Sequence, residues 1–246
     1  MHDPYVLEIE NLTVAFDGFK AVDGLTVYVG ANGVHAIIGP NGAGKTTLLD
    51  LISGKTKPTS GSIRFKGIEL TALREFQIVR KGVGRKFQTP SVYESLTVFE
   101  NLEMSFPDSR GWFSAYRFRR TAEVTRKVEE VAELVYLKDH LHEKAESLSH
   151  GQKQWLEIGA LLIQDPELLL LDEPVAGMSV IERARTVELV LRLAQGRAVV
   201  VVEHDMEFVR SIASRVTVLH QGRRLAEGKM DVVQNDPAVI EVYLGH

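Results

Sequence analysis

Gly39-Pro40-Asn41-Gly42-Ala43-Gly44-Lys45-Thr46 is the stretch on which the reading of this chain turns. It fits the pattern G-x-x-x-x-G-K-[ST], in which glycines let backbone N–H groups turn inward around phosphate oxygens. Lys45 brings a positive charge to the β- and γ-phosphates, the Thr46 hydroxyl reaches a magnesium ion, and Thr47 follows in the same turn. A short apolar run, Val34–Ile38, precedes the loop, and a helical pattern, Thr46–Ser53, follows it up to Gly54. A helix that starts at the loop aims its positive end at the bound anion.

A phosphate loop needs an acidic strand end opposite it, and Leu168-Leu169-Leu170-Leu171-Asp172-Glu173 supplies one. Strand ends carry the ligand chemistry of parallel sheets. Asp172 suits a water-mediated hold on magnesium, and Glu173 suits orienting or deprotonating the attacking water.

Around these two motifs, apolar runs alternate with helical patterns, which predicts an α/β fold. Tyr5–Ile9, Thr13–Phe16 and Leu25–Val29 read as strands of an antiparallel edge sheet, with Ser62–Phe65 a further strand and Ala72–Val79 a helix. Gly82–Phe87, Ala198–Val202 and Val216–Leu219 also read as strands. The stretch from about 90 to 165 loses strand alternation and contains clean amphipathic helices at Thr121–Val135 and Gly151–Ile163, so it reads as an inserted helical subdomain. Val180–Ala194, Met206–Ala213 and Pro237–Leu244 complete the helices.

Composition narrows the function classes. The chain has 246 residues, 44% of them hydrophobic, and a formal net charge of -4. That balance does not favour nucleic acid, whose binding domains are more often basic. There is no cysteine, so no disulfide framework exists. Met1–Glu10 has no signal-peptide core, and no run approaches the roughly 20 apolar residues of a membrane span. A membrane role therefore requires a partner. Arg117, Arg119, Arg120, Arg126 and Lys127 interleave with Glu123, Glu129 and Glu130, the pattern of a solvated helix face with ion pairs.

Further motifs carry a resemblance to one family. Leu148-Ser149-His150-Gly151-Gln152, just ahead of Asp172, resembles the signature sequence of ATP-binding-cassette ATPases. Gln88 is similar to the family's Q-loop glutamine and His204 to its switch histidine. Phe16 stands where the family places an aromatic that stacks on adenine, a role that Phe19 could also serve. The resemblance spans Leu7 to Gly245. It implies one cassette over residues 1–246: a P-loop NTPase (RecA-like) core with an antiparallel β subdomain, made of 1–89 and 166–246, and a helical subdomain at 90–165 bearing the signature. It implies ATP and Mg²⁺ as cofactors. Gly39, Pro40, Asn41, Gly42, Ala43, Gly44, Lys45, Thr46 and Thr47 hold ATP; Thr46, Gln88 and Asp172 hold the metal; and Glu173, His204 and Gln88 serve catalysis. Ser149, His150, Gly151 and Gln152 then act on the nucleotide of a second cassette in a head-to-tail dimer, identical or related.

The resemblance also implies membrane permease subunits, an indirect link to a solute-binding protein, and a peripheral place on the cytoplasmic face of the membrane. Gly84–Val92, Leu96–Leu102 and Asp236–Gly245 look like the branched-chain amino acid and urea importers, and Arg85-Lys86-Phe87-Gln88-Thr89-Pro90 is closest to the urea/short-chain amide type. Two positions depart from the family. His150 replaces a glycine of the signature, and Ser179 stands where many relatives carry Asp. The alternatives are a cassette ATPase of DNA repair or translation and a P-loop kinase of small molecules. The repair enzymes carry a long coiled coil, for which Thr121–Val135 is too short; the translation proteins usually carry two cassettes; and a kinase gives no reason for the signature.

Overall fold

A computed structural model describes residues 5–87, 92–106 and 121–244. The chain divides into two compact units. One comprises the residues up to Arg85 together with Glu167–Glu173 and Val190–His246; the other comprises Lys86–Pro166 and Pro174–Leu189. The segment just after Glu173 thus groups with the helical block, not with the sheet core to which the 166–246 boundary assigns it.

The first unit contains two sheets. β1 (Tyr5–Phe16) and β2 (Phe19–Gly30) form an antiparallel hairpin. β4 (Ser60–Phe65) pairs with β1, and β5 (Ile68–Glu69) with β4, giving the order β2-β1-β4-β5. The two strands predicted within Tyr5–Phe16 are one strand, because the break between them is a bulge, not a turn. Asn11 takes φ 47 there and the register shifts, as an inserted residue in an antiparallel pair requires. Asp17 and Gly18, both at positive φ, turn the hairpin. Such a two-residue turn matches the twist of its flanking strands.

The second sheet has the order β10-β9-β3-β8-β7-β6. Its members are β3 (Gly33–Ile38), β6 (Val83–Lys86), β7 (Leu168–Asp172), β8 (Ala198–Val202), β9 (Arg215–His220) and β10 (Arg223–Gly228). β3 runs parallel to β8 and β9, and β7 to β8. Both faces of β3 are buried. Ile37 joins Leu48, Leu168, Val200 and the antiparallel sheet in one core, while Ala36 and Ile38 join Val209, Val216, Val218 and Met230 in another. A continuous apolar run is what a strand covered on both faces needs. α1 (Lys45–Ile52) belongs to the first core; α7 (Met206–Ile212), α8 (Met230–Val233) and α9 (Pro237–Leu244) lie C-terminal to β8. α2 (Glu75–Arg80) is shorter than the predicted 72–79 span, beginning after an extended Arg74 whose backbone N–H donates to Gln77.

The second unit is helical. α3 (Val98–Glu103), α4 (Ala122–Leu134) and α5 (His150–Leu162) pack on one another. They meet closely at Gly159, where an added Cβ would stand 3.1 Å from Leu102 and 3.2 Å from Val135. α6 (Val180–Leu193) begins in this unit. The Trp155 indole of α5 donates to Thr186 of α6 at 2.9 Å, and Thr186 donates to the Glu182 carbonyl at 2.8 Å. Among the described residues no helix is long and apolar enough to cross a membrane.

His35 points from β3 into the first unit and shares a 2.8 Å hydrogen bond with Thr217. Burial lowers its imidazole from 6.5 to about 4. A base whose folded value is depressed stays neutral when folded, while the unfolded chain takes up a proton below pH 6.5. Stability therefore falls as pH drops from 6.5 towards 4. Urea unfolding of the wild type and of His35→Gln at pH 6.5 and pH 4.5 should show that the wild type loses about 2–3 kcal/mol more than the variant over this interval. Equal losses would place the acid sensitivity elsewhere.

Candidate functional site

The Gly39–Thr46 loop joins β3 to α1 and is threaded between two backbone carbonyls. A Cβ at Gly39 would lie 2.2 Å from the Leu219 carbonyl oxygen, and one at Gly44 would lie 2.4 Å from the Ala21 carbonyl oxygen. Both glycines also hold positive φ, 152° and 99°. Neither position tolerates a side chain, so the loop's path follows from the absence of Cβ atoms. Pro40, Asn41, Gly42 and Ala43 form its crest. The Pro40 carbonyl accepts from the Ala43 N–H at 3.2 Å, and the Ala43 carbonyl accepts from the Gly222 N–H at 3.1 Å. Gly222, in the β9–β10 turn, also accepts from the Asp23 N–H at 2.9 Å. This brace went unread in the sequence; its signal was Gln221-Gly222 between β9 and the polar β10.

α1 starts on left-handed Gly44, and no described side chain caps it. Its first-turn amides therefore keep the positive end of the helix available to an anion. The Lys45 ammonium is nearly buried and donates to the carbonyls of Gly39 at 2.7 Å and Pro40 at 2.9 Å. Burial lowers it from the usual lysine value, while Glu173, Asp172 and Glu203 oppose that change. Thr46 is exposed and Thr47 half-buried on the same turn.

β7 delivers the acidic pair. Asp172, at the strand end, is 1% exposed. Arg85 faces its Oδ2 at 3.7 Å and donates from Nη1 to Asp50 Oδ1 at 2.5 Å and to Ser53 Oγ at 2.9 Å. The role of Arg85 is not legible in the sequence, because its partners Asp50, Ser53 and Asp172 are distant along the chain. Glu173 takes φ 44, and its N–H donates to the Val202 carbonyl at 2.9 Å. The left-handed turn redirects the chain where its carboxylate leaves the strand, and Glu173 Oε1 lies 3.4 Å from His204 Nδ1. Glu203, buried behind His204, accepts from the His204 N–H at 2.9 Å and the Asp205 N–H at 3.3 Å, which holds the turn that carries His204. The C-terminal helix reaches the same region. Burial pushes the Tyr243 hydroxyl up to about 12, and the backbone of Gly39 hydrogen-bonds it.

Lys45, Thr46, Asp172, Glu173 and His204 therefore belong to one unit, at the ends of β3, β7 and β8. An uncapped helix N-terminus, a buried ammonium and a buried carboxylate fit a triphosphate with its metal. Thr46 and Asp172 are a sparse donor set, which suits Mg²⁺, an ion that keeps waters and binds through one or two protein groups plus phosphates. Phe16 is 49% exposed at the end of β1 and pairs with Phe19 across the hairpin turn. Val14, two residues earlier, is buried, but the exposure of Phe16 itself takes it out of the core. Gln88, Thr89, Pro90, Arg117, Arg119 and Arg120 lie outside the described residues.

In the second unit Ser149 is the N-cap of α5. Its Oγ accepts from the Gln152 N–H at 3.1 Å, while its own N–H donates to the Gln152 side chain at 2.9 Å. This is a reciprocal cap. The His150 ring lies over Gly177, where an added Cβ would be 3.1 Å from it, and its Nε2 is 3.2 Å from the Gln154 side chain. Ser179 fills its departure from the family by capping α6 with Glu182. Its N–H and hydroxyl donate to Glu182 Oε2 at 2.9 Å and 2.8 Å.

Comparison with known proteins follows the same lines. A family profile described as "ABC transporter" matches residues 22–176, and one described as "Branched-chain amino acid ATP-binding cassette transporter" matches residues 223–246. The chain is 36% identical to the high-affinity branched-chain amino acid transport ATP-binding protein BraF of Pseudomonas aeruginosa, with 98% of each chain covered. The ADP conformation of MJ1267, an ATP-binding cassette of an ABC transporter, superposes with a TM-score of 0.88 at 32% identity, covering 98% of this chain and 99% of that one. The dimeric structure of MJ0796, a bacterial ABC transporter cassette, shares the fold with a TM-score of 0.77 at 24% identity, covering 91% of this chain and 98% of that one. A phosphate loop braced on two carbonyls, an acidic strand end facing it and an α/β core of this topology thus agree with whole-length similarity: the chain belongs to the ATP-binding-cassette transporter family and is an ATPase of that family.

Proposed function

We propose that the chain drives a membrane importer from the cytoplasmic side, as a peripheral subunit bound to transmembrane permease subunits that receive solute from a solute-binding protein. Lys45 neutralises the β- and γ-phosphates. Thr46, Gln88 and Asp172 hold Mg²⁺. Glu173 orients or deprotonates the attacking water, and His204, beside it, steadies the charge that develops. Phe16 stacks on adenine. Ser149, His150, Gly151 and Gln152 serve the nucleotide of a second cassette, identical or related. The single observation that carries the catalytic reading is the Glu173–His204 pair, which places a carboxylate and an imidazole 3.4 Å apart beside buried Asp172. MJ0796, named for its dimeric structure, supports the pairing of cassettes.

The solute we favour is a branched-chain amino acid, because BraF is named for that transport and the C-terminal residues match a profile of the same description. Urea or a short-chain amide is the second reading; it rests on Arg85–Pro90, of which the last three residues lie outside the described residues. A role in DNA repair or translation draws no support from the relatives named above. Uptake of labelled leucine and of labelled urea, with and without a deletion of this chain, decides between the solutes: loss of leucine uptake alone supports the first, and loss of urea uptake alone overturns it.

Two substitutions test the chemistry. Glu173→Gln should lower steady-state ATP turnover at least about a hundredfold, the usual worth of a positioned general base, while retaining ATP; Lys45→Ala should lose ATP itself. A Glu173→Gln protein that fails to bind ATP, measured with a fluorescent nucleotide, removes Glu173 from the proposed role. Phe16→Ala should raise the KM for ATP about tenfold at unchanged kcat, since base–aromatic stacking contributes about 1–3 kcal/mol. If Phe19→Ala produces that effect and Phe16→Ala does not, the adenine contact belongs to Phe19.

A further inference from the structure

The N-terminus of α5 already has a negative group against it, and that group comes from the same unit. Ser149 Oγ donates to Glu182 Oε1 at 2.6 Å. A Cβ at Gly151 would fall 2.5 Å from the Glu182 carboxyl carbon and Oε1 and 3.0 Å from Oε2, so the carboxylate lies flat on the first turn of the signature helix. Capping α6 does not require this. The Glu182–Ser179 cap uses Oε2, whereas the bond to Ser149 uses Oε1. Thr186, tied to Trp155, fixes the turn of α6 that carries Glu182. The Ser149 hydroxyl, first, and the Ser179 groups hold the Glu182 carboxyl below its usual range, so it is an anion at neutral pH.

A serine hydroxyl has one proton to donate. In this arrangement Ser149 gives it to Glu182 and receives the Gln152 N–H on a lone pair. It therefore has no second proton for a phosphate oxygen.

We propose that Glu182 is a positioning residue that sequesters the proton of the signature serine in the resting chain, and that engagement of a second cassette's triphosphate requires Ser149 to turn that proton from Glu182 to the phosphate. Glu182 then sets the ATP concentration at which cassettes associate, by opposing association until the terminal phosphate arrives. This rests on the reading of Ser149 as a donor to the nucleotide of the second cassette. His150 is folded over Gly177 and leaves the Ser149–Glu182 pair to control that face.

The test uses the full chain carrying Glu173→Gln, which keeps ATP bound, alone and mixed with the companion ATPase of its transporter. The readout is the ATP concentration for half-maximal association in sedimentation velocity. Glu182→Gln preserves the shape of the cap and removes the charge, and should lower that concentration three- to tenfold. Glu182→Ala, checked for folding by circular dichroism, should shift it in the same direction. In a Ser149→Ala background Glu182→Gln should change it less than twofold, because the effect passes through the serine; a merely structural role for Glu182 would shift both backgrounds alike. An unchanged or raised concentration in Glu182→Gln, or an equal shift in both backgrounds, overturns the proposal while leaving the signature reading intact. Association of Ser149→Ala at the parent concentration overturns both.

Discussion

The exclusion of side chains from two points of one loop governs the rest of the molecule. Gly39 runs against the Leu219 carbonyl and Gly44 against the Ala21 carbonyl, each closer than any Cβ could come. These contacts fix the loop between β9 and β2, and therefore fix where α1 starts and where its positive end points. An anion site made from backbone amides is only as good as its rigidity, because each N–H must be held in place before the ligand arrives. The β9–β10 turn adds to this by bonding Ala43 and Asp23 through Gly222. The antiparallel sheet thus has a role beyond filling the core, since its β2 strand is one wall of the phosphate loop.

The charges around that loop follow from burial. Lys45 is nearly buried, and burial disfavours its charged form; three carboxylates, from Glu173, Asp172 and Glu203, oppose that effect without cancelling it. Asp172 in turn has Arg85 at 3.7 Å, and Arg85 has Asp50. Attraction between buried ions of alternating sign offsets part of their desolvation cost, and loss of one partner leaves the other buried and uncompensated. Removing a member exposes its neighbour to that cost, so the acidic strand end and the arginine strand beside it act as one electrostatic unit. The same logic explains why Glu203, assigned no chemistry, is buried next to His204: its carboxylate receives two backbone N–H groups and holds the turn that aims the histidine.

Much of this was legible in the sequence because local pattern and chemistry coincided. The parallel strands around Val34–Ile38, Leu168–Leu171 and Ala198–Val202 are short, apolar and bounded by polar residues or glycine, so periodicity found them almost to the residue. β10 escaped because Arg223–Gly228 is polar and half-exposed; its strand character comes from pairing with β9, a tertiary cause that local pattern does not record. The continuity of β1 through Asn11 was hidden for a related reason, since a bulge and a turn both call for a residue tolerant of positive φ. Pro174–Leu189 continues a core motif along the chain while grouping with the helical unit, which local pattern does not record. In the site, the loop glycines and Asp172–Glu173 were visible as motifs. Arg85, Gly222 and Glu182 were not, because each acts through a partner distant in sequence.

The two departures from the family pattern show how one unit absorbs a substitution. A histidine at position 150 would obstruct the N-terminus of α5 if its ring followed the helix axis outward. Here the ring turns to the flank instead, over Gly177, where only a glycine leaves room for it: any Cβ at that position would come within 3.1 Å of the imidazole. Gly177 also sits at φ 70, so two independent constraints, backbone and neighbour, call for the same residue. Ser179 preserves its helix start by supplying both an acceptor to the Glu182 N–H and a donor to its carboxylate, a pairing that an aspartate, having no proton at neutral pH, cannot make. With Ser179 as cap, Glu182 is drawn toward the signature with one carboxylate oxygen satisfied by the cap and the other turned to Ser149. The unusual residue after the acidic strand and the occupied signature helix are thus two ends of one hydrogen-bonded arrangement, in which the carboxylate could not lie on Gly151 if that residue carried a side chain.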